Sequence, residues 1–147
     1  MLFKHDILDS ALKRGDVVGV HRSFYDHYGI YTGSEVIHFS GEPGLMEILK
    51  LKPTTSAWIR RSTLDEFKNG AENIFIINFE QILFPSLHIY SPSETVRRAE
   101  SQIGKSGYNI LFRNCEHFAL WCKTGRKISI QVLFGLAGLF PQENKDF

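Results

Sequence analysis

The chain has 147 residues, of which 43% are hydrophobic and 22% are charged, and its net charge is +1. These values are typical of a single globular domain whose core folds without disulfides, and they give no electrostatic case for nucleic-acid binding. The first residues lack the long apolar run of a signal peptide, and the chain contains no Asn-x-Ser/Thr sequon. We therefore expect one cytoplasmic domain over residues 1–147.

Strands are predicted mainly in the first half of the chain, where short apolar or alternating runs are separated by turn residues. The predicted strands are 16–20, 27–32, 35–39, 45–51, 57–61 and 74–79. A short capped helix is predicted over 63–67, closed by Asn69 and Gly70.

Helices are predicted mainly in the second half. Ser91, followed by proline and then by glutamate, is a typical helix start, and Val96, Ala99 and Ile103 would then share one face. Early strands and late helices favour an α+β domain over a parallel sheet.

Cys115 follows an asparagine and opens an amphipathic run that Gly125 would end. If Asn114 is the N-cap, Cys115 lies in the first helical turn, where unpaired N–H groups and the helix dipole favour a thiolate. Cys122 would lie on the same face about 10 Å further along, too far for a disulfide. Taken alone, a buried and inert Cys115 is the simpler interpretation.

Two histidines are brought together by a predicted hairpin. If Gly33 and Ser34 form its two-residue loop, Gly29 lies opposite His38. His27 and His38 are then diagonal neighbours on one face, within reach of each other's side chains. Gly29 adds no side chain between them.

A thiol, a base and a group that orients the base form a nucleophilic site. His27 and His38 can supply the last two roles in either order. His117, two residues after Cys115, would point away from it, because two helical residues turn by about 200°. His5, His21 and His88 are expected at the surface or in loops. The histidine and cysteine spacings match no zinc site, and no cofactor is expected.

The segments 27–33, 36–38 and 114–118 resemble the lecithin:retinol acyltransferase family, which includes the small phospholipase A/acyltransferases. That family belongs to the wider clan of NlpC-type bacterial cell-wall peptidases. The segment 15–18 is similar to the family's first core strand. The resemblance extends from about residue 13 to residue 125, in the family's order.

This resemblance implies a circularly permuted papain-like fold with an antiparallel β-sheet packed against helices. It implies Cys115 as nucleophile, His27 as general base and His38 as the residue that orients the base. The implied reaction is acyl transfer from a phospholipid ester through a thioester on Cys115. The Cys115 amide could hold the oxyanion. Tyr25 is a second candidate donor, with an ordinary packed aromatic as its alternative.

The segment 126–147 lies beyond the expected core and is apolar over 128–140. A helix of that length spans about 20 Å, less than the roughly 30 Å hydrocarbon layer of a bilayer. Lys123, Arg126 and Lys127 precede it and could meet anionic headgroups, so an interfacial helix is one interpretation. A helix that closes the core is the other.

Three functions remain open on the sequence. The first is a thiol acyltransferase or phospholipase acting on glycerophospholipids, peripherally associated with membranes through 128–140. The second is a cysteine peptidase or amidase of the NlpC type, which would use the same catalytic residues. The third is a binding domain that has kept the fold and lost turnover.

Overall fold

Six strands form one antiparallel sheet in a computed structural model, which describes residues 3–23, 25–40, 57–81, 87–106 and 111–130. The strands are β1 (Lys4–Ile7), β2 (Val17–His21), β3 (Asp26–Tyr31), β4 (Glu35–Ser40), β5 (Trp58–Thr63) and β6 (Ile74–Ile77). Their order across the sheet is β1-β6-β2-β3-β4-β5.

Five of the six predicted strands correspond to observed ones, and the predicted strand 45–51 lies outside the described residues. The predicted strand 74–79 is too long, because the chain leaves β6 at Ile77 and makes a 3₁₀ turn over Phe79–Gln81. β1 was not predicted; it pairs with β6 at the edge of the sheet. A second 3₁₀ turn, Asp9–Ala11, follows it.

Helix α1 (Leu64–Lys68) begins at the predicted cap. The Thr63 side chain accepts a hydrogen bond from the Glu66 amide, and the Glu66 carboxylate accepts one from the Thr63 amide. The helix ends at Asn69, whose φ of 46° lies in the left-handed region.

Helix α2 (Pro92–Glu100) also begins as predicted, because the Ser91 hydroxyl accepts a hydrogen bond from the Glu94 amide. Val96 and Ala99 are buried. The placement of Ile103 on this face was wrong: the helix stops at Glu100, and Ile103 is 40% exposed in the turn that follows.

Helix α3 (Leu111–Thr124) ends at Gly125 as predicted, with a φ of 77° and an amide that donates to the Trp121 carbonyl. Its predicted start was wrong. The helix begins at Leu111, so Asn114 lies within it and does not cap it.

The sheet separates two clusters of buried side chains. The larger cluster lies between the sheet and helices α2 and α3, and it includes Tyr28, Phe39 and Phe118. The smaller cluster lies on the other face and includes Val20 and Phe67, the latter from α1. The antiparallel sheet and the three helices confirm the α+β class.

Candidate active site

The hairpin of β3 and β4 has the predicted register. Ile30 pairs with Ile37 and Tyr31 with Val36, so two residues form the loop. The same register sets Gly29 opposite His38. A Cβ atom at Gly29 would lie 3.1 Å from Cβ of His38 and only 2.5 Å from a methyl carbon of Val36. Glycine is needed here because the neighbouring strand occupies that space.

His27 and His38 form a buried pair. Nε2 of His27 lies 2.8 Å from Nδ1 of His38, which is hydrogen-bond distance. On the far side, Nε2 of His38 lies 2.8 Å from Oγ of Ser62 on β5. The two rings and the hydroxyl thus form a continuous polar chain across three adjacent strands. The sequence analysis did not identify Ser62.

Phe67 of α1 covers both imidazoles. Its ring centroid lies 5.3 Å from that of His27 and 5.1 Å from that of His38, edge-on in the second case. Burial lowers the pKa of His27 to about 3, and the positive charge of Arg22 acts in the same direction. His27 is therefore a neutral imidazole at physiological pH.

Cys115 lies against the peptide that joins Asp26 to His27. Its sulfur is 3.9 Å from the Asp26 carbonyl oxygen, and the residue is fully buried. Strand alternation directs the side chains of His27 and Tyr28 to opposite faces, and Cys115 belongs to the Tyr28 cluster. The sulfur thus contacts the backbone at the start of β3, and helix α3 packs against this strand. An ion pair between Cys115 and His27 stays a prediction.

Comparison with known proteins shows the family to which the chain belongs. The family model for lecithin retinol acyltransferase matches residues 10–128, which is most of the chain. The chain belongs to the lecithin retinol acyltransferase family.

Several curated members of the family are similar over much of the chain. Lecithin retinol acyltransferase of Rattus norvegicus is 31% identical over 145 residues, covering 88% of this chain and 62% of the relative. The Homo sapiens protein of that name is 33% identical over 140 residues, covering 83% and 59%. Phospholipase A and acyltransferase 1 of Rattus norvegicus is 26% identical over 148 residues, covering 87% and 86%. The chain thus spans less than two thirds of the lecithin retinol acyltransferases that it matches.

The position of Cys115 in this family member differs from the prediction in one respect that affects its chemistry. It is the fifth residue of α3, not a residue of the first turn. In an α-helix the amide of the fifth residue donates to the carbonyl of the first, so the Cys115 amide is not available for an oxyanion. The dipole effect also weakens beyond the first turn.

Tyr25 and Cys122 have different surroundings. The ring of Tyr25 is edge-on to that of His27, and the two centroids are 6.3 Å apart. Tyr25 thus makes an edge-to-face aromatic contact with the histidine pair. Cys122 is fully buried two turns along α3 from Cys115, and burial raises the pKa of its thiol despite the nearby charge of Arg98. Cys122 is therefore an inert internal reference for the reactivity of Cys115.

The other histidines differ from the buried pair in their exposure. His5, His21 and His88 are exposed, as predicted, and His117 is partly buried. His21 does have a partner that the sequence did not reveal: its Nδ1 lies 2.6 Å from the carboxylate of Asp26. Burial acts to raise the pKa of Asp26, but the hydrogen bonds and charges of Lys4 and His21 outweigh it and lower that pKa.

Two kinds of feature are absent from the described residues. None of the described histidine, cysteine, aspartate and glutamate side chains form a group of three or more that could hold a metal ion. Among the described helices, none is both long and apolar enough to cross a bilayer. Most of the segment 128–140 lies outside the described residues.

Proposed function

We propose that this protein is a thiol-dependent acyltransferase or phospholipase that acts on the acyl esters of glycerophospholipids. Membership of the lecithin retinol acyltransferase family supports this proposal. So does the similarity to proteins named phospholipase A and acyltransferase, of which this chain covers 86% in one case. The proposed substrate class comes from these names.

The observation that carries the proposal is the hydrogen-bonded pair of His27 and His38, with the Cys115 sulfur against the peptide that leads into His27. A nucleophile, a base and a group that fixes the base are the parts that thiol catalysis needs. We assign these roles to Cys115, His27 and His38 in that order.

The proposed reaction requires the Cys115 sulfur and the His27 imidazole to come together at the start of β3, where the sulfur already lies against the Asp26 carbonyl. It then begins with transfer of the Cys115 proton to His27. The thiolate then attacks the ester carbonyl carbon to form a tetrahedral intermediate. The C–O bond breaks, the departing lysophospholipid oxygen takes the proton from His27, and the acyl group remains on sulfur as a thioester. Water, an alcohol or an amine then attacks the thioester while giving a proton to His27. Cys115 leaves as thiolate and recovers that proton.

The low pKa of His27 constrains the first step. A neutral imidazole can accept a proton, but a buried imidazolium needs stabilisation by nearby groups. The Cys115 thiolate and the hydrogen bond to His38 would both provide it, so thiolate and imidazolium should form together as a coupled pair.

A glycerophospholipid substrate lies in a membrane, so we also propose that the protein works as a peripheral protein at a cytoplasmic membrane surface. Arg126 and Lys127 could approach anionic headgroups there. Lys123 is less suited than the sequence indicated, because it is partly buried and its Nζ donates to the Gly15 carbonyl. Because Cys115 is fully buried, admission of an acyl ester requires side chains that cover it to move aside.

The decisive experiment measures the intact mass of the protein after incubation with mixed phosphatidylcholine and phosphatidylethanolamine vesicles. We expect an added mass equal to one fatty acyl group, removable by neutral hydroxylamine as thioesters are. Peptide mapping should locate the group on Cys115.

Cys115→Ala should abolish the adduct, and Cys122→Ala should keep it. An unmodified wild-type protein, without release of fatty acid or lysophospholipid, would contradict the proposal. Cleavage of peptide substrates without lipid turnover would favour a peptidase.

A further inference from the structure

A serine hydroxyl ends the polar chain that contains both histidines. Ser62 is only 4% exposed, and its Oγ lies 2.8 Å from Nε2 of His38. The strand register explains the contact: Ser62 pairs with Val36 on β4, and His38 lies two residues further along the same face. Ser62 thus reaches His38 diagonally across the sheet.

Two neutral arrangements of protons satisfy both hydrogen bonds in this chain. In the first, His27 donates from Nε2 to Nδ1 of His38, and His38 donates from Nε2 to Ser62. In the second, Ser62 donates to Nε2 of His38, and His38 donates from Nδ1 to Nε2 of His27. Each arrangement fixes which nitrogen carries the proton in both rings.

The two arrangements differ at Nδ1 of His27. In the first, this nitrogen has a lone pair and can accept a proton. In the second it carries hydrogen, so it cannot act as a base. Burial keeps His27 neutral, so the tautomer of the ring decides whether Nδ1 can take the proton of a thiol.

We propose that Ser62 is a positioning residue that accepts the Nε2 proton of His38 and thereby holds both histidines in their Nε2–H tautomers. His27 then presents Nδ1 as the basic nitrogen. The inference deepens the proposed function and rests on it for the role of His27, but the tautomers themselves can be measured without any substrate.

Charged groups act on the pair without a described hydrogen bond to it: Arg22 on His27, and Glu66 with His38. Ser62 is the described group that hydrogen-bonds to Nε2 of His38. His38 meets His27, Ser62 and the ring of Phe67. The Ser62 hydroxyl can accept from Nε2 of His38 or donate to it, and burial makes the loss of that bond unfavourable. We choose the first arrangement because it leaves Nδ1 of His27 able to act as the base of the proposed function.

The test is a long-range ¹H–¹⁵N correlation spectrum of the ¹⁵N-labelled free protein at pH 7, which distinguishes the two tautomers of each histidine. We expect Nε2–H on both His27 and His38. Ser62→Ala should give a mixture of tautomers, and Ser62→Thr, which keeps the hydroxyl, should restore the wild-type pattern.

Thr95→Val is the matched control, since Thr95 is a fully buried hydroxyl whose Oγ1 donates to the Ser91 carbonyl in α2, away from the pair. It should leave both tautomers unchanged. A wild-type His27 protonated at Nδ1 would overturn the inference, as would tautomers unaffected in Ser62→Ala. If Ser62→Ala does not fold, the wild-type spectrum alone still tests the inference, because it shows which nitrogen of His27 carries the proton.

A kinetic measurement separates this inference from the proposed function. Alkylation of Cys115 at pH 7 should be roughly 2- to 10-fold slower in Ser62→Ala, the size expected for one net hydrogen bond, and unchanged in Thr95→Val. If Cys115 is never acylated by lipid but the tautomers are as expected, the proposed function fails alone. If acylation occurs and Ser62→Ala matches wild type in both measurements, the inference fails alone.

Discussion

The imidazole of His27 links stability to pH. Its pKa is about 3 in the folded protein because burial disfavours the charged ring, against 6.5 for an ordinary histidine. Between these values the unfolded chain binds the proton and the folded chain does not. The contribution of His27 to stability is therefore fully present above pH 6.5 and is lost as the pH falls toward 3.

We predict that the free energy of unfolding falls by up to about 1.4 kcal/mol per pH unit on account of His27 as the pH decreases from 6.5 toward 4. Urea unfolding at several pH values measures this slope. His27→Gln should flatten it, while His88→Gln, a change at an exposed histidine, should not. An equal slope in wild type and His27→Gln would contradict the prediction.

The β3–β4 hairpin depends on the missing side chain at position 29. A Cβ there would lie 3.0 Å from the Ile37 carbonyl oxygen in addition to the close contact with Val36. We predict that Gly29→Ala destabilises the protein by about 1–3 kcal/mol, because the neighbouring strand must shift. The same shift should move His38 and slow alkylation of Cys115. Urea unfolding measures the first effect, and Ser34→Ala in the exposed loop is the control.

The β3–β4 hairpin can be predicted because the residues that determine its register are close together in the sequence. The loop at Gly33 and Ser34 and the two-residue period fix the register, and the register fixes the histidine pair. Ser62 could not be found this way, since its strand is separated from β4 by the long connection 41–57. The start of α3 was misjudged because Asn114 is a good cap by composition, whereas Leu111 begins the helix.

At the level of the whole fold, the helical layer is held together by Arg98. Its guanidinium carbon lies 4.3 Å from the ring centroid of Tyr90 and 3.9 Å from that of Trp121. Its nitrogens also donate to the carbonyls of Trp121 and Cys122 at the end of α3. Arg98 therefore joins α2 to the last turn of α3, where it donates to the Cys122 carbonyl and adds a second donor to the Trp121 carbonyl, which also accepts from the Gly125 amide.

We predict that Arg98→Lys lowers the free energy of unfolding by about 1–3 kcal/mol, because an ammonium cannot lie flat between two rings and donate to two carbonyls. Thermal unfolding followed by circular dichroism would measure it. Arg97→Lys, at the neighbouring exposed position that pairs with Glu94, should have little effect. Equal stability of the two variants would show that the Arg98 contacts contribute nothing measurable.

The overall architecture was only partly accessible from the sequence. The α+β class followed from the order of elements, but β1 was missed because its partner, β6, lies some seventy residues away and the strand itself has only four residues. The sheet order β1-β6-β2 likewise depends on contacts between distant segments. The permuted papain-like topology remains an expectation from the family resemblance.

Glu116, the residue after the proposed nucleophile, connects helix α3 to the C-terminal part of the chain. Its carboxylate accepts a hydrogen bond from the amide of Ile130, 2.5 Å away, and Ile130 is the last residue that the structure describes. Any tension applied to the remaining seventeen residues would consequently reach the backbone immediately after Cys115. Tethering that tail to a surface or cutting it off should therefore act on α3 beside the thiol, through the Glu116 carboxylate and through the buried side chains of Ile128 and Ile130.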